Sequence, residues 1–221
     1  MLSEELNVDI IDGRRDKIGD QPVKVLIDVF RSTSTIPLIL NNGAKCVIPS
    51  RTIRTAMRIQ KENPGSFLVG ERFGVKVPGF DYCNSPYDVW NVDFKDKIVS
   101  FTSTNGTLVL EKIKSFPKVF IASFVNHEAT IRALQGSRDI QIVMSGRPDS
   151  GSDEDLVYAE YLKSSLLGKK PDTETFMDMA RRSSGARRLA ILGYSKDVDK
   201  CLSLDHVKFP VVLDGDRIVR S

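Results

Sequence analysis

Short apolar runs recur along the chain at 23–30, 45–50, 66–70, 97–101, 118–123, 139–146 and 211–214. Several, such as "VKVLIDVF" and "DIQIVMSG", are almost continuously apolar and rich in Val and Ile. A half-exposed strand would alternate, so unbroken runs fit strands buried on both faces, as in a parallel sheet. Between them the apolar spacing changes to a helical period, at 36–42, 52–62, 108–116, 127–135, 153–168 and 174–183. Strands alternating with helices predict an α/β fold, here a three-layer α/β/α arrangement with a central, mainly parallel sheet. The last apolar run leads into Asp214 and Gly215 and then a second short run, which reads as a terminal β-hairpin.

A shift of 73 residues lays "KVLIDVFRSTST" on "KIVSFTSTNGTL" and "KCVIPS" on "KVFIAS". Identities are few (Lys24/Lys97, Lys45/Lys118, Ile48/Ile121, Ser50/Ser123, Ala56/Ala129). The order of strand, hydroxyl-rich loop, helix, strand and helix is nevertheless the same. A duplicated β-loop-α-β-α unit near 23–62 and 96–135 is therefore expected, inside one domain spanning all 221 residues. The loops at 31–35 and 104–107 would then lie at equivalent strand ends. Open α/β sheets bind ligands there.

Composition removes several functions. The chain is 41% hydrophobic and 28% charged, as in ordinary globular proteins. A net charge of +3 without a basic run excludes nucleic acid as the main partner. No apolar run approaches the roughly 20 residues of a membrane span, and the acidic start "MLSEELNVDI" has no signal-peptide core. Cys46, Cys83 and Cys201 are odd in number and lack a C-x-x-C pair. They read as free thiols in a reducing cytoplasm. The expected partner is a small anionic molecule; the oligomeric state stays open, a homodimer included.

Three stretches carry candidate chemistry. The first, "DVFRSTST", places Asp28, Arg31, Ser32, Thr33, Ser34 and Thr35 before a helix expected to start near Ile36. Hydroxyls and N–H groups at a helix start bind phosphate. Arg31 can grip an oxyanion in bidentate fashion, and Asp28 can hold a divalent cation. Helix capping explains one hydroxyl equally well, but not four. The second, "GERFGVKVPGFDYCNSP", is a long loop with Glu71 at a strand end; such loops are often functional, though a plain surface excursion fits too. The third, "SGRPDSGSDEDLVYAEYL", runs from a strand end through a Gly-rich loop into Asp153, Glu154 and Asp155. Acids in a first helical turn usually complement the helix dipole; these could also ligate Mg²⁺, which prefers oxygen.

Other chemistries fail on detail. G-x-x-x-x-G-K-[ST] and G-x-G-x-x-G are both absent, and His127 and His206 are the only histidines. No Cys is followed by Arg at the step of a Cys-based phosphatase loop. "VVLDGDRIV" looks like the aspartyl-phosphate signature of the haloacid dehalogenase phosphatases, but it lies at the end of this sequence, whereas that motif starts their fold.

Taken together, Asp28 to Thr35, Gly70 to Pro86, Thr102 to Thr107, Ser123 to Asn126, and Gly146-Arg147 with Ser152 to Asp155 resemble the 2-phosphosulfolactate phosphatase (ComB-like) family. The likeness covers residues 23 to 205, with departures at Tyr82, Cys83 and Asp153. It implies a Mg²⁺-dependent phosphatase that converts 2-phospho-3-sulfolactate to 3-sulfolactate and phosphate, a step towards coenzyme M. Under it, Asp28, Arg31 and Glu71 would be catalytic, and Asp28, Glu71, Glu154 and Asp155 would supply the metal ligands. Ser32, Thr33, Ser34, Arg72, Asn84, Ser85, Thr104, Asn105, Gly106, Thr107, Ser123, Asn126 and Arg147 would bind substrate or phosphate. The alternatives are a phosphatase of another small phosphorylated hydroxy acid and a non-catalytic anion-binding protein.

Overall fold

The computed structural model of the protein describes residues 6–147 and 152–221. Its elements run β1 (Asn7–Asp12), β2 (Val23–Ile27), α1 (Ser32–Asn41), β3 (Cys46–Ser50), α2 (Ile53–Glu62), β4 (Phe67–Arg72), β5 (Val75–Lys76), α3 (Pro86–Val89), β6 (Ile98–Thr102), α4 (Gly106–Ile113) and β7 (Lys118–Ile121). There follow α5 (His127–Leu134), β8 (Asp139–Met144), α6 (Asp153–Leu166), α7 (Thr173–Arg181), α8 (Ser184–Ile191), α9 (Ser195–Cys201), β9 (Val211–Asp214) and β10 (Arg217–Arg220).

Among the described residues the strands form one sheet, in the order β1-β8-β2-β7-β9-β10-β3-β6-β4-β5. It contains two parallel sets. In the first, β2 lies between β8 and β7, with Val23 opposite Ile140 on one side and Lys118 on the other. In the second, β6 lies between β3 and β4. The C-terminal hairpin β9-β10 joins the sets, antiparallel to both, through Phe120 opposite Val212 and Ile218 opposite Val47. The fold is thus α/β with a mainly parallel sheet flanked by helices, as the apolar runs predict. The expected hairpin at Asp214-Gly215 is present, with Gly215 at φ 59°, where a residue without Cβ is favoured.

The continuous apolar runs follow from double burial. On β2, Leu26 enters one core cluster, while Val25 and Ile27 enter another on the opposite face. The first cluster unites both strand sets, from Leu26 and Val143 to Val47, Val69 and Phe101, around Ile36, Leu38 and Ile39 of α1 and Val109 and Leu110 of α4. α1 is buried on every side from Ser32 to Leu40, as a central helix must be. No helix among the described residues is long and apolar enough to cross a membrane. The cysteines are free and buried, in agreement with their spacing.

Four features depart from the sequence reading. α1 begins at Ser32, not near Ile36, so the hydroxyl-rich "loop" is the helix's first turn. β1, an edge strand pairing with β8, was not expected. α8 and α9 occupy a stretch that carried no helix prediction. The long loop after residue 70 opens with a tight hairpin, in which Glu71 pairs with Lys76 and Arg72 with Val75.

Candidate active site

β2 ends at Ile27, and the next residue, Asp28, is buried in the lining of a cavity of about 310 Å³. The turn that presents it is built by its own hydroxyls. Thr33 Oγ1 accepts from the Asp28 N–H at 3.0 Å, and the Thr33 N–H donates to the Asp28 carbonyl at 2.9 Å. Ser34 donates to Val29 O and Thr35 to Arg31 O, at 2.9 and 3.0 Å. Ser123 donates to Thr33 O at 2.9 Å from the neighbouring strand end. Asp155, inside the first turn of α6, accepts from the Val29 N–H at 2.8 Å and from Ser145 at 3.3 Å. These groups satisfy backbone that would otherwise be buried without partners.

Ser32 behaves differently. Its N–H and its hydroxyl lie close to the Asp28 carboxylate and favour the charged form. The hydroxyl oxygen accepts from Asn84 Nδ2 at 3.2 Å. That fixes the Asn84 amide. Its Oδ1 is a buried acceptor without a hydrogen-bond partner, on a residue that lines the cavity. α4 closes in on the same carboxylate: a Cβ on Gly106 would lie 2.7 Å from Asp28 Oδ2 and 2.9 Å from Ser32 Oγ. Only glycine allows that approach.

Two further carboxylates face Asp28 across the cavity. Glu71, on β4, accepts from the Thr104 N–H and hydroxyl and from the Gly74 N–H, so it ties the hairpin to the start of α4. Glu154, at the start of α6, accepts from Arg147 at 3.0 Å. A Cβ on Gly185 would collide with its carboxylate. Burial pushes the Asp28 carboxyl up to about 6; the Ser32 bonds oppose this, and the negative Glu71 and Glu154 add to it. Burial also raises Glu154, against the pull of Arg147, and raises Asp155 strongly, reinforced by Glu154 and Asp28. The site therefore holds more negative charge than it can comfortably ionise.

Three arginines border the same cavity. Arg31 donates to Asp197 at 2.6 Å and to Gly74 O at 2.7 Å, with its guanidinium over the Tyr194 ring at 4.4 Å. Arg147 is held by Glu154 and by Ser184 Oγ at 3.0 Å. Arg188, on α8, lines the cavity and is exposed. Phe73, Leu189 and Leu192 supply an apolar rim.

The structure thus gathers eight expected residues around one cavity: Asp28, Arg31, Glu71, Asn84, Thr104, Asn105, Arg147 and Glu154. Ser32 and Gly106 sit directly behind Asp28. Others lie outside the lining. Arg72 donates to Glu71 O, Arg51 O and Thr102 Oγ1. Ser85 caps α3 and donates to Asp197. Thr107 bonds to Ser103, Ser123 bonds back to Thr33, and Asn126 caps the turn at Ser123. Asp155, expected as a metal ligand, also lies outside the lining, where it accepts from Val29 and Ser145 and braces the Asp28 turn. Residues 148–151, inside the third expected stretch, lie outside the described residues.

Arg188, Gly185 and Asp197 were not anticipated. The cavity face of α8 is readable in retrospect as Gly185, Arg188, Leu189 and Leu192, a helical spacing. Asp197 left no signal, since its partners, Arg31 and Ser85, are more than a hundred residues away.

Among the described residues, no three His, Cys, Asp or Glu side chains form a metal-binding cluster. The cavity nevertheless suits a hard cation. Its donors are oxygens, one of them the unpartnered Asn84 Oδ1, and its carboxylates repel one another. Mg²⁺ commonly takes only one or two protein carboxylates, the rest of its shell being water and substrate phosphate.

Comparison with known proteins gives the family. The family model described as 2-phosphosulpholactate phosphatase matches residues 10–215. A protein of Thermoplasma acidophilum, named a probable 2-phosphosulfolactate phosphatase, is 40% identical over 212 residues, covering 95% of this chain and 94% of the relative. Its namesake in Thermoplasma volcanium is 39% identical over 196 residues, covering 89% and 91%. Another, from Thermotoga petrophila, is 37% identical over 211 residues, covering 89% and 92%. With its fold, its strand-end cavity and a match over nearly its whole length, the chain belongs to the 2-phosphosulfolactate phosphatase family of phosphatases.

Proposed function

We propose that this protein is a Mg²⁺-dependent phosphatase that hydrolyses 2-phospho-3-sulfolactate to 3-sulfolactate and phosphate. The observation that carries the reading is the raised Asp28 carboxyl, flanked by Glu71 and Glu154 and faced by arginines in one cavity at the strand ends. A site built only to hold an anion would avoid three carboxylates. A site that must also hold a cation and move a proton uses them.

Glu71, Glu154 and Asn84 Oδ1 would hold Mg²⁺, with Asp28 in the same field. When bound, the ion neutralises the phosphoryl oxygens and so eases attack on phosphorus. Asp28, titrating near 6, is ionised at neutral pH yet close enough to it to accept a proton from the attacking water. The hydroxyl of that water ends on phosphorus, the bond from phosphorus to the C2 oxygen breaks, and the departing alkoxide takes a proton from solvent, to which Asp28 returns the one it accepted. Asn105, at the start of α4, and the Arg147 guanidinium would surround the phosphoryl group. Such preorganised donors stabilise the charge of a loose transition state.

The test is phosphate release from 2-phosphosulfolactate and from a panel of phosphorylated hydroxy acids, after chelation and after adding Mg²⁺ back. Turnover should fall at least about a hundredfold with chelator and return with Mg²⁺. Undiminished turnover with chelator removes the metal from the proposal. A better substrate elsewhere in the panel replaces 2-phosphosulfolactate.

A further inference from the structure

Of the three arginines lining the cavity, two are already neutralised: Arg31 by Asp197 and Arg147 by Glu154. Arg188 is not. Among the described residues no carboxylate pairs with it, and its hydrogen bonding is limited to a long contact with Phe73 O at 3.5 Å. Yet its position is set by the fold. One face of α8 borders the cavity through Gly185, Arg188, Leu189 and Leu192, a spacing that puts all four on one side of a helix. That face begins at the acids, because Gly185 packs directly against Glu154. Arg188 follows three residues later, about 4.5 Å further along the helix axis. Leu189 and Leu192 beside it offer no counter-ion.

A phosphate held at the Asp28, Glu71 and Glu154 end would therefore leave an unpaired guanidinium facing whatever the substrate carries next. We propose that Arg188 is a specificity-determining residue that binds a second anionic group of the substrate, a carboxylate or sulfonate one or two carbons from the phosphate. This rests on the phosphatase reading above. It adds that the site selects for polyanionic esters and that the selection comes from α8, not from the strand-end loops. A planar fork of donors suits a carboxylate or a sulfonate. An ester with phosphate as its only charge gains nothing from it.

The experiment compares kcat/KM for three esters: 2-phosphosulfolactate, 2-phospholactate, which keeps only the carboxylate, and p-nitrophenyl phosphate, which has neither group. Wild type is set against Arg188→Gln and Arg188→Lys, with Arg187→Gln as a control on an exposed neighbour outside the cavity lining. Arg188→Gln should lose at least about tenfold on the polyanionic substrate, mostly through KM, and change p-nitrophenyl phosphate by less than about twofold. Arg188→Lys should recover part of the loss. A loss on 2-phospholactate as well assigns the carboxylate; a loss confined to 2-phosphosulfolactate assigns the sulfonate. An equal loss on all three esters, or none on any, overturns the proposal. If wild type hydrolyses no ester, the phosphatase reading itself fails, and calorimetric titration with 3-sulfolactate decides the role of Arg188. Binding at least about fivefold weaker in Arg188→Gln upholds it; equal affinity, or no binding by either protein, overturns it.

Discussion

Asp28 shows how one residue can cost stability where it contributes to function. In the folded protein its carboxyl titrates near 6, against 3.8 when unperturbed. Between those values the folded state holds a proton that the unfolded state has released. Stability therefore falls as pH rises through this window and stays lower above it. The difference of about 2 units corresponds to about 3 kcal/mol at most. Asp28→Asn removes that cost, because an amide carries no charge to desolvate. In chelator at pH 7.5 the variant should be more stable by about 1–3 kcal/mol in urea unfolding, while phosphatase turnover falls at least about a hundredfold. A variant less stable than wild type at pH 7.5 would mean that the carboxylate is well solvated after all. At this scale the sequence was readable where charge stood at or just past a strand end, as with Asp28, Glu71 and Arg147, or in a first helical turn, as with Glu154. It was ambiguous for hydroxyls. Ser32 faces the Asp28 carboxylate while Ser34, two residues on, serves the Val29 carbonyl, and nothing in "STST" distinguishes a hydroxyl that binds backbone from one that binds a ligand.

The elements that hold the site were harder to read than the residues in it. α9 matters through one buried group. Asp197 accepts from Arg31 at 2.6 Å, from Ser85 Oγ at 2.6 Å and from the Tyr87 N–H at 3.0 Å, and so binds α9 to α1 and α3. Removing one member of a buried ion pair leaves the other charge without compensation, which costs about 3–5 kcal/mol. Asp197→Ala should lose stability on that scale by chemical denaturation, far more than Arg181→Ala, whose ion pairs with Asp178 and Asp199 are solvent-exposed. Equal losses in the two variants would show that Arg31 finds another partner. The start of α1 was misplaced for a related reason. Ser and Thr are poor helix formers in isolation, but here their side chains are bonded to carbonyls of the same turn, and the helix is sealed on all sides by core. Tertiary packing overrides propensity at that point.

At the scale of the molecule, the doubly buried strands were legible because burial on both faces leaves a continuous apolar run, but the edge strands β1 and β5 and the order of the sheet were not. β2 pairs with β7, and β6 pairs with β3, so each 73-residue partner lies across the sheet from where chain order would put it. The cavity draws on both strand sets. Asp28 and Glu154 follow β2 and β8 of the first, whereas Glu71 and Thr104 belong to β4 and the turn after β6 of the second. Between the sets, the sheet is continuous only through β9-β10, by a single opposed pair at each edge. Ile218 makes the pair with Val47 and is fully buried in the core that unites the sets. Ile218→Ala should cost about 2–5 kcal/mol through lost burial and the cavity it leaves. Because the hairpin joins the two halves of the site, it should also loosen their alignment before the chain unfolds. In rising urea the variant should therefore lose activity at a lower concentration than it loses far-UV circular dichroism, while wild type loses both together. Coincident curves for the variant would confine the hairpin to global stability, and the alignment of Glu71 with Asp28 and Glu154 would then rest on α1 and α4 in the core alone.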